Sequence, residues 1–419
     1  MTRSVIAAIF CLGVLGSGAS AADITITGNA SQTVDGSNNY FLSQSPSGPT
    51  VRSLSALNLD FLARMPTTVY DLKTNYSYYQ YYGPGAADTN PPNGAPLGAT
   101  FSVTHTADLQ TKYNFGGSWQ RADVTAAELL ESGTSTVHGS SDTYTANTGV
   151  THDFSRTDSV SWTAQTSTVS FSAPNQTPYV DVTTTGSWNH RISPTTTFIN
   201  ALTLDYNAQD DAAGDRRLFW TATTGLQSQL TKRLSINGTI GMNFINAWQK
   251  NGALSAVAAP DPNAAPTGFV PLQPGAGHGW LGNVGLTYQL LKSTQVSLTA
   301  AQSTTPTVFG SLQQSQTIGF NLAHNINSMS NLAVSAQFSV NTQSGNSSNL
   351  LDGSASTGSG GTTSDLFTAS ATYGYRLTRE LRTSLSYTYT QVSGNIGTSG
   401  LLKSNAVLVS LTREFTVLP

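Results

Sequence analysis

The sequence predicts an all-β fold: a transmembrane antiparallel up-and-down β-barrel of about eighteen strands (sixteen being possible), with short periplasmic turns and long extracellular loops. Three observations predict it. The first is strict alternation. Between Leu366 and Arg376, Phe367, Ala369, Ala371, Tyr373 and Tyr375 share one face, and Thr368, Ser370, Thr372 and Gly374 share the other. Beyond the turn Thr378-Arg379-Glu380, Leu385, Tyr387 and Tyr389 alternate with Ser384, Ser386, Thr388 and Thr390. Period two on both sides of a tight turn marks a β-hairpin. About ten residues per strand is the length that crosses a bilayer when tilted. The second observation is composition. Charged residues make up 10% of the chain, and past the N-terminus no apolar run is long enough for a spanning helix. A barrel with a wet interior needs few charges and spreads its apolar half over alternate positions. The third is the connections, which are brief at one end of the hairpins and long at the other.

The elements follow in order. Arg3, the apolar stretch Ile6 to Leu15 and the small residues Ala19-Ser20-Ala21 read as a secretory signal over 1–21, leaving a barrel domain over 22–419. Cys11 lies inside that signal, so the mature chain has no cysteine for disulfides or thiolate metal sites. An opening strand is expected around Ile24 to Val34. Eight hairpins follow. Asn58 to Ala63 and Val69 to Tyr79 flank Met65-Pro66; Phe101 to Leu109 and Tyr113 to Gln120 flank Thr111-Lys112. Tyr144 to Phe154 and Val160 to Phe171 flank Ser155 to Asp158; Val180 to His190 and Phe198 to Tyr206 flank Ser193-Pro194-Thr195. Leu218 to Leu230 and Leu234 to Phe244 flank Thr231-Lys232-Arg233; Leu281 to Leu290 and Val296 to Ala301 flank Lys292-Ser293-Thr294. Ile318 to Asn325 and Leu332 to Val340 flank Asn327 to Ser330, and the pair described first is the eighth. A last strand, Asn405 to Phe415, closes the chain. Gly83 to Gly98, Lys250 to Gly279 and Ser344 to Ser364 are long and loop-like, and so belong outside the cell. The best helical window, Ala126 to Ser132, is short.

Alternation also assigns the faces. Leu234, Ile236, Ile240, Met242 and Phe244 are expected toward lipid, with Ser235, Asn237, Thr239 and Asn243 toward the lumen. On Leu332 to Val340 the inner set is Ser335, Gln337 and Ser339. Asp60, Asp71, Lys73, Asp205 and Arg382 are the charges expected to line the pore. Tyr76, Tyr78, Tyr79, Tyr81 and Tyr82 read as an aromatic girdle at the outer headgroups, with sugar stacking at the pore mouth as the sharper reading. A β-sandwich also alternates, but its strands average roughly five or six residues.

Composition excludes some functions. Lys and Arg number 19 against 22 Asp and Glu; without Arg3 the count is 18 against 22, a formal charge of −4. A nucleic-acid partner would need a basic stripe, and none is present. The six histidines, His105, His138, His152, His190, His278 and His324, show no metal-ligand spacing. His138 with Ser141 could suggest a hydrolase on a barrel scaffold. Asp210, Asp211 and Asp215 could suggest calcium, but without regular ligand spacing a solvated acidic loop is the plainer reading. Arg216-Arg217 beside them would pair with those aspartates. No catalytic residue, cofactor or metal is assigned.

In the last strand, Val407, Val409, Leu411 and Phe415 alternate toward a near-terminal aromatic. This resembles the C-terminal signal read by the outer-membrane assembly machinery, although Thr416-Val417-Leu418-Pro419 follow the phenylalanine. The hairpin Ala369 to Tyr389, with Tyr-Gly-Tyr-Arg-Leu-Thr-Arg-Glu-Leu-Arg and Ser-Leu-Ser-Tyr-Thr-Tyr, resembles the β-barrel porin type 2 group over the C-terminal fifty or so residues. The resemblance implies a Gram-negative outer-membrane location among lipid and lipopolysaccharide. It also raises exopolysaccharide export as an alternative.

The resulting expectation is a passive channel for small, mainly neutral hydrophilic solutes, because a wall of hydroxyls and amides offers many weak hydrogen bonds and little field. The loop Lys250 to Gly279 is long, proline-rich and unusually apolar. It is expected to fold inward as a constriction, with Phe269 and Leu272 against the wall.

Overall fold

The computed structural model describes residues 23–43, 45–88, 93–124, 139–172, 176–210, 215–249, 275–306, 312–343, 362–394 and 401–418. Eighteen long strands form one closed sheet: β1 Asp23–Ser37, β2 Thr50–Arg64, β3 Thr68–Tyr82, β4 Leu97–Thr106, β5 Thr111–Asp123, β6 Ser140–Asp153, β7 Asp158–Phe171, β8 Tyr179–Ser193, β9 Thr196–Gln209, β10 Asp215–Thr231, β11 Leu234–Gln249, β12 Gly275–Leu291, β13 Thr294–Pro306, β14 Leu312–Asn325, β15 Ser330–Gln343, β16 Thr362–Arg376, β17 Leu381–Gly394 and β18 Leu402–Leu418. A two-residue segment, Asn93–Gly94, pairs beside Tyr79 and Gln80 at the top of β3. Each strand pairs antiparallel with its sequence neighbours, and β18 closes on β1 from Ile26↔Leu418 to Ser37↔Ala406. Closure removes both sheet edges, so every spanning strand has a partner on each side. That is the condition for strands in a bilayer.

The registers turn the alternation into two surfaces. Around the wall, Val34, Leu57, Leu59, Phe115, Trp162, Leu202, Trp220, Ile240, Phe244, Val284, Leu298, Ile318, Phe338, Leu385, Val407, Val409 and Leu411 lie on the outside and are exposed. Such a belt is stable only against lipid, since water would leave it uncovered. The opposite parity faces the lumen: Asn29 opposite Asn58, Asp60 opposite Lys73, Asn243 opposite Thr221 and Ser335 opposite Ser370.

The strands are longer than the ten residues that alternation marks. Fourteen or fifteen residues (β1, β2, β3 and β6 among them) rise about 3.3 Å each. Even when tilted, they overshoot an apolar belt about 25 Å tall. Alternation is enforced only where lipid touches the wall. The projecting ends, such as Ser140–Thr143 and Thr362–Ser364, are free to be polar.

One turn is displaced from expectation. The fourth strand ends at Thr106, and Thr111 and Lys112 belong to β5. Asp108 causes the shift. Its Oδ1 accepts the backbone N–H groups of Gln110 and Thr111, each at 2.7 Å, closing a turn over Ala107 to Gln110. Leu109 is therefore the exposed tip of a turn, not a strand residue. In the predicted loop after β3, Pro84–Asp88 forms a short 3-10 turn. The expected helical window, Ala126 to Ser132, lies outside the described residues. So do the signal segment and its Cys11.

Candidate functional site: the lumenal wall and its strap

Four clusters of charges stand out on the inner wall, and Arg64, Lys112, Arg191, Arg217 and Arg376 also share the inner parity of their strands. Between β2 and β3, the Lys73 ammonium lies 2.5 Å from Asp71 and 4.0 Å from Asp60. Between β8 and β9, the Thr183 hydroxyl stands 3.2 Å from Asp205 and 3.3 Å from Asp181, so it can donate to either carboxylate; the Asn207 amide donates to Asp181 at 3.4 Å. Between β17 and β18, Arg382 faces Glu414 at 3.4 Å. Near the outer end of β1 and β2, Arg52 donates twice to Asp35, at 2.9 and 2.7 Å. The structure therefore places Asp60, Asp71, Lys73, Asp205 and Arg382 on the inner face, and brings only the first three together. Asp35, Arg52, Asp181 and Glu414 were missed by sequence reasoning. Their parity with Ser31, Leu54, Thr183 and Thr412 was the available signal.

From β11 through β15 the wall has no Asp, Glu, Lys or Arg. Asn237, Thr239, Asn243 and Gln337 lie on the inner face of this arc, with Asn283, Thr317, Asn321 and Ser335. Hydroxyls and amides bond across strands there and beside it: Thr221 to Asn243 at 2.5 Å, Ser315 to Asn341 at 2.8 Å, and the Ser335 and Ser370 hydroxyls at 2.7 Å. These rungs hold the side chains in place and leave lone pairs and N–H groups turned to the interior.

The aromatic run on β3 divides by parity. Tyr76, Tyr78 and Tyr82 are exposed on the outside, where a girdle belongs, whereas Tyr79 and Tyr81 point inward and are each 7% exposed. What covers them is the first part of the β1–β2 connection, Asn38 to Ser43. Phe41 packs on Tyr81 with ring centres 5.3 Å apart, and Tyr40 meets the same ring at 5.2 Å. The Arg52 guanidinium sits 5.3 Å from the centre of the Tyr40 ring. Burial pushes the Tyr40 phenol far above its ordinary range, despite the attraction of Arg52, so it remains a neutral hydroxyl.

Leu42 continues across the seam and packs with Val392, Leu402 and Leu366, all on the lumenal parity of β17, β18 and β16. Polar contacts fix both ends. The Asn405 N–H donates to the Asn38 side chain at 2.8 Å, and the Ser37 and Ser404 hydroxyls meet at 2.8 Å. Asn39 and Ser43 bond reciprocally, at 2.8 and 2.9 Å. At the far end, Gly48 and Gly83 both have positive φ. A Cβ on Gly48 would strike Pro84 at 2.8 Å, and one on Gly83 would strike the Pro49 carbonyl at 2.6 Å. Leu42 itself has φ of 49°, a left-handed conformation costing a bulky residue about 1–3 kcal/mol. The buried pocket for its side chain offsets that strain. The connection is therefore a packed strap lying on the inner wall. Its sequence signal was Tyr40-Phe41-Leu42, three large apolar residues without alternation in a short loop.

The expected constriction residues Phe269 and Leu272 lie outside the described residues. His138 does too, so the His138–Ser141 idea gains no geometry. Asp210 is exposed, and Arg216 donates to the Gln209 carbonyl at 2.6 Å. Among the described residues, no three His, Cys, Asp or Glu gather as a metal site. Val407, Val409 and Leu411 point outward beside β1, and the Phe415 ring crowds Gly28.

No family model matches the chain, and no curated protein matches it. Solved structures share its fold. Pseudomonas aeruginosa OccK8 (OprE) superposes with a TM-score of 0.50 at 9% identity, over 94% of this chain and 99% of that one. Pseudomonas aeruginosa OccK2 (OpdF) gives 0.50 at 8% identity, over 95% and 99%. The copper transporter OprC gives 0.54 at 12% identity, over 94% of this chain and 67% of that one. The shared property at these identities is the barrel. A closed barrel with an apolar belt belongs in a bilayer, and the outer membrane is where bacterial barrels of this kind reside.

Proposed function

We propose that this chain is an outer-membrane channel through which small, mainly neutral hydrophilic solutes diffuse passively, without bond-breaking chemistry. The uncharged arc from β11 to β15 carries the reading. A solute passing it meets Asn237, Thr239, Asn283, Thr317 and Gln337, which can exchange hydrogen bonds with hydroxyls and exert little field on ions. Some of the charges elsewhere are paired within the wall, as Lys73 is with Asp71 and Arg52 with Asp35. The same reading supplies the surroundings: lipid and lipopolysaccharide around the belt, and the barrel assembly machinery at Val407, Val409, Leu411 and Phe415. Liposome swelling with the purified protein tests it. Uncharged mono- and disaccharides should enter faster than sugar acids of similar size. Equal or reversed rates would overturn the neutral-solute reading, and absence of swelling and of planar-bilayer current would overturn the channel. A protein that passes no small sugar but releases polysaccharide would favour export.

A further inference from the structure

The Asn38 to Ser43 strap gives this channel a second property, an inference that rests on the channel reading. Its anchors lie on the lumenal faces of six strands that are neighbours around the wall. Leu366, Val392 and Leu402 belong to β16, β17 and β18; Ser37 belongs to β1, Leu54 to β2, and Tyr79 and Tyr81 to β3. Six of eighteen strands make up about a third of the circumference. A segment seated on that much inner wall must project into the bore, because the strands behind it already pair without a gap from β16 to β3. Its seat is near the extracellular ends of those strands: Thr50 begins β2, Leu402 begins β18 and Tyr82 ends β3.

We propose that the strap is a fixed constriction of the extracellular entrance, and that Tyr40, Phe41 and Leu42 set the size of solute the channel admits. Phe41 and Leu42 are nearly inaccessible, and the bonds at Ser37, Asn38, Asn39 and Ser43 tie the segment to the wall and to itself. A mobile flap would leave its apolar residues in water between visits. Tyr40, only partly buried, is the strap's ring nearest the Arg52–Asp35 pair. A solute therefore passes a surface of one phenol and one paired guanidinium.

The test uses the full-length barrel in planar bilayers. The triple variant Tyr40→Ser, Phe41→Ser and Leu42→Ser removes the anchors and leaves every strand residue in place. Its single-channel conductance should rise about two-fold, and polyethylene glycols too large to affect the wild-type current should begin to reduce it. If the triple variant does not yield a heat-modifiable barrel, Phe41→Ala alone takes its place and should move both readouts in the same direction by less. A conducting wild type with unchanged conductance and size cut-off in the folded variant overturns the constriction and leaves the channel standing. No current from either protein overturns both.

Discussion

The hydroxyl of Thr68 lies 2.9 Å from Nδ1 of His105, pairing the first residue of β3 with the penultimate residue of β4. The same pairing recurs between Thr111 and His152 at 2.9 Å and between Thr294 and His324 at 2.7 Å. Asp158 takes the hydroxyl's place toward His190, at 2.8 Å. In each case the two strands are covalently joined at their outer ends, so at the periplasmic ends only the backbone ladder, and no turn, holds them in register. A side-chain hydrogen bond there adds to the ladder. Four of the six histidines thus take part in cross-strand contacts at these ends.

It follows that Thr111→Val should lower stability by about 0.5–1.5 kcal/mol, the worth of one hydrogen bond. Thr294→Val lies on a distant part of the wall and should add to it within about 0.5 kcal/mol. Urea titration of the folded barrel checks both. Midpoints indistinguishable from wild type would mean that these contacts are incidental.

The turn at Asp108 predicts a pH dependence. Two backbone N–H groups donating to its carboxylate hold its pKa below the ordinary value, in an exposed turn on the periplasmic side. A depressed carboxylate stabilises the fold above its unfolded pKa, about 3.9. That contribution is lost as pH falls through the lower, folded value. The stability gap between wild type and Asp108→Ala should therefore be constant from neutral pH down to about 5. It should shrink below 4 and close in stronger acid. A gap independent of pH would show that the ionised carboxylate is not what closes the turn.

The two faces differ in what they tolerate. Ile240 is 57% exposed on the outside, near mid-strand, and its neighbour Thr239 faces the lumen. Ile240→Arg places a charge in hydrocarbon and should cost about 2–4 kcal/mol, whereas Thr239→Arg places it in a wet interior and should cost far less. The fraction of heat-modifiable barrel recovered after refolding reads the difference. Equal losses would mean that the parity of β11 is inverted.

Alternation made this fold legible wherever lipid imposes it. Leu234 to Phe244 and Phe367 to Tyr375 are readable because a single misplaced polar residue there is expensive. The same logic explains the misses. Beyond the belt nothing penalises polar residues, so strand ends such as Ser140 and Thr362 look like loop. Leu109 fits the alternation of Phe101 to Leu109, but a local side-chain-to-backbone closure at Asp108 outweighs one apolar residue. Tyr79 and Tyr81 look like girdle residues because the sequence does not reveal that a distant loop returns to cover them. Within the candidate site, inward parity was readable at Asp60, Lys73 and Asn237. The partner of each inward charge was less so, since pairing across strands depends on register that one sequence leaves open. The strap combines both difficulties: its anchors Leu42 and Val392 come from opposite ends of the chain and meet only because β18 closes on β1.

The uncharged arc yields the last prediction. Gln337 is exposed on the inner face of β15, opposite Gly319 on β14 and Thr368 on β16. No strand charge is present from β11 through β15, so a charge introduced at Gln337 meets no partner within the arc to neutralise it. Gln337→Lys should shift the zero-current potential in a salt gradient toward anion preference, and Gln337→Asp should shift it toward cations. Both shifts should be larger at 0.1 M than at 1 M salt, because the screening length falls from about 10 Å to about 3 Å. Neither substitution buries its new charge, so stability should change by no more than about 0.5 kcal/mol. Opposite shifts of similar size would place Gln337 on the conducting path. Two folded, conducting variants that keep the wild-type potential at low salt would remove the arc from that path, and with it the main support for a neutral-solute channel.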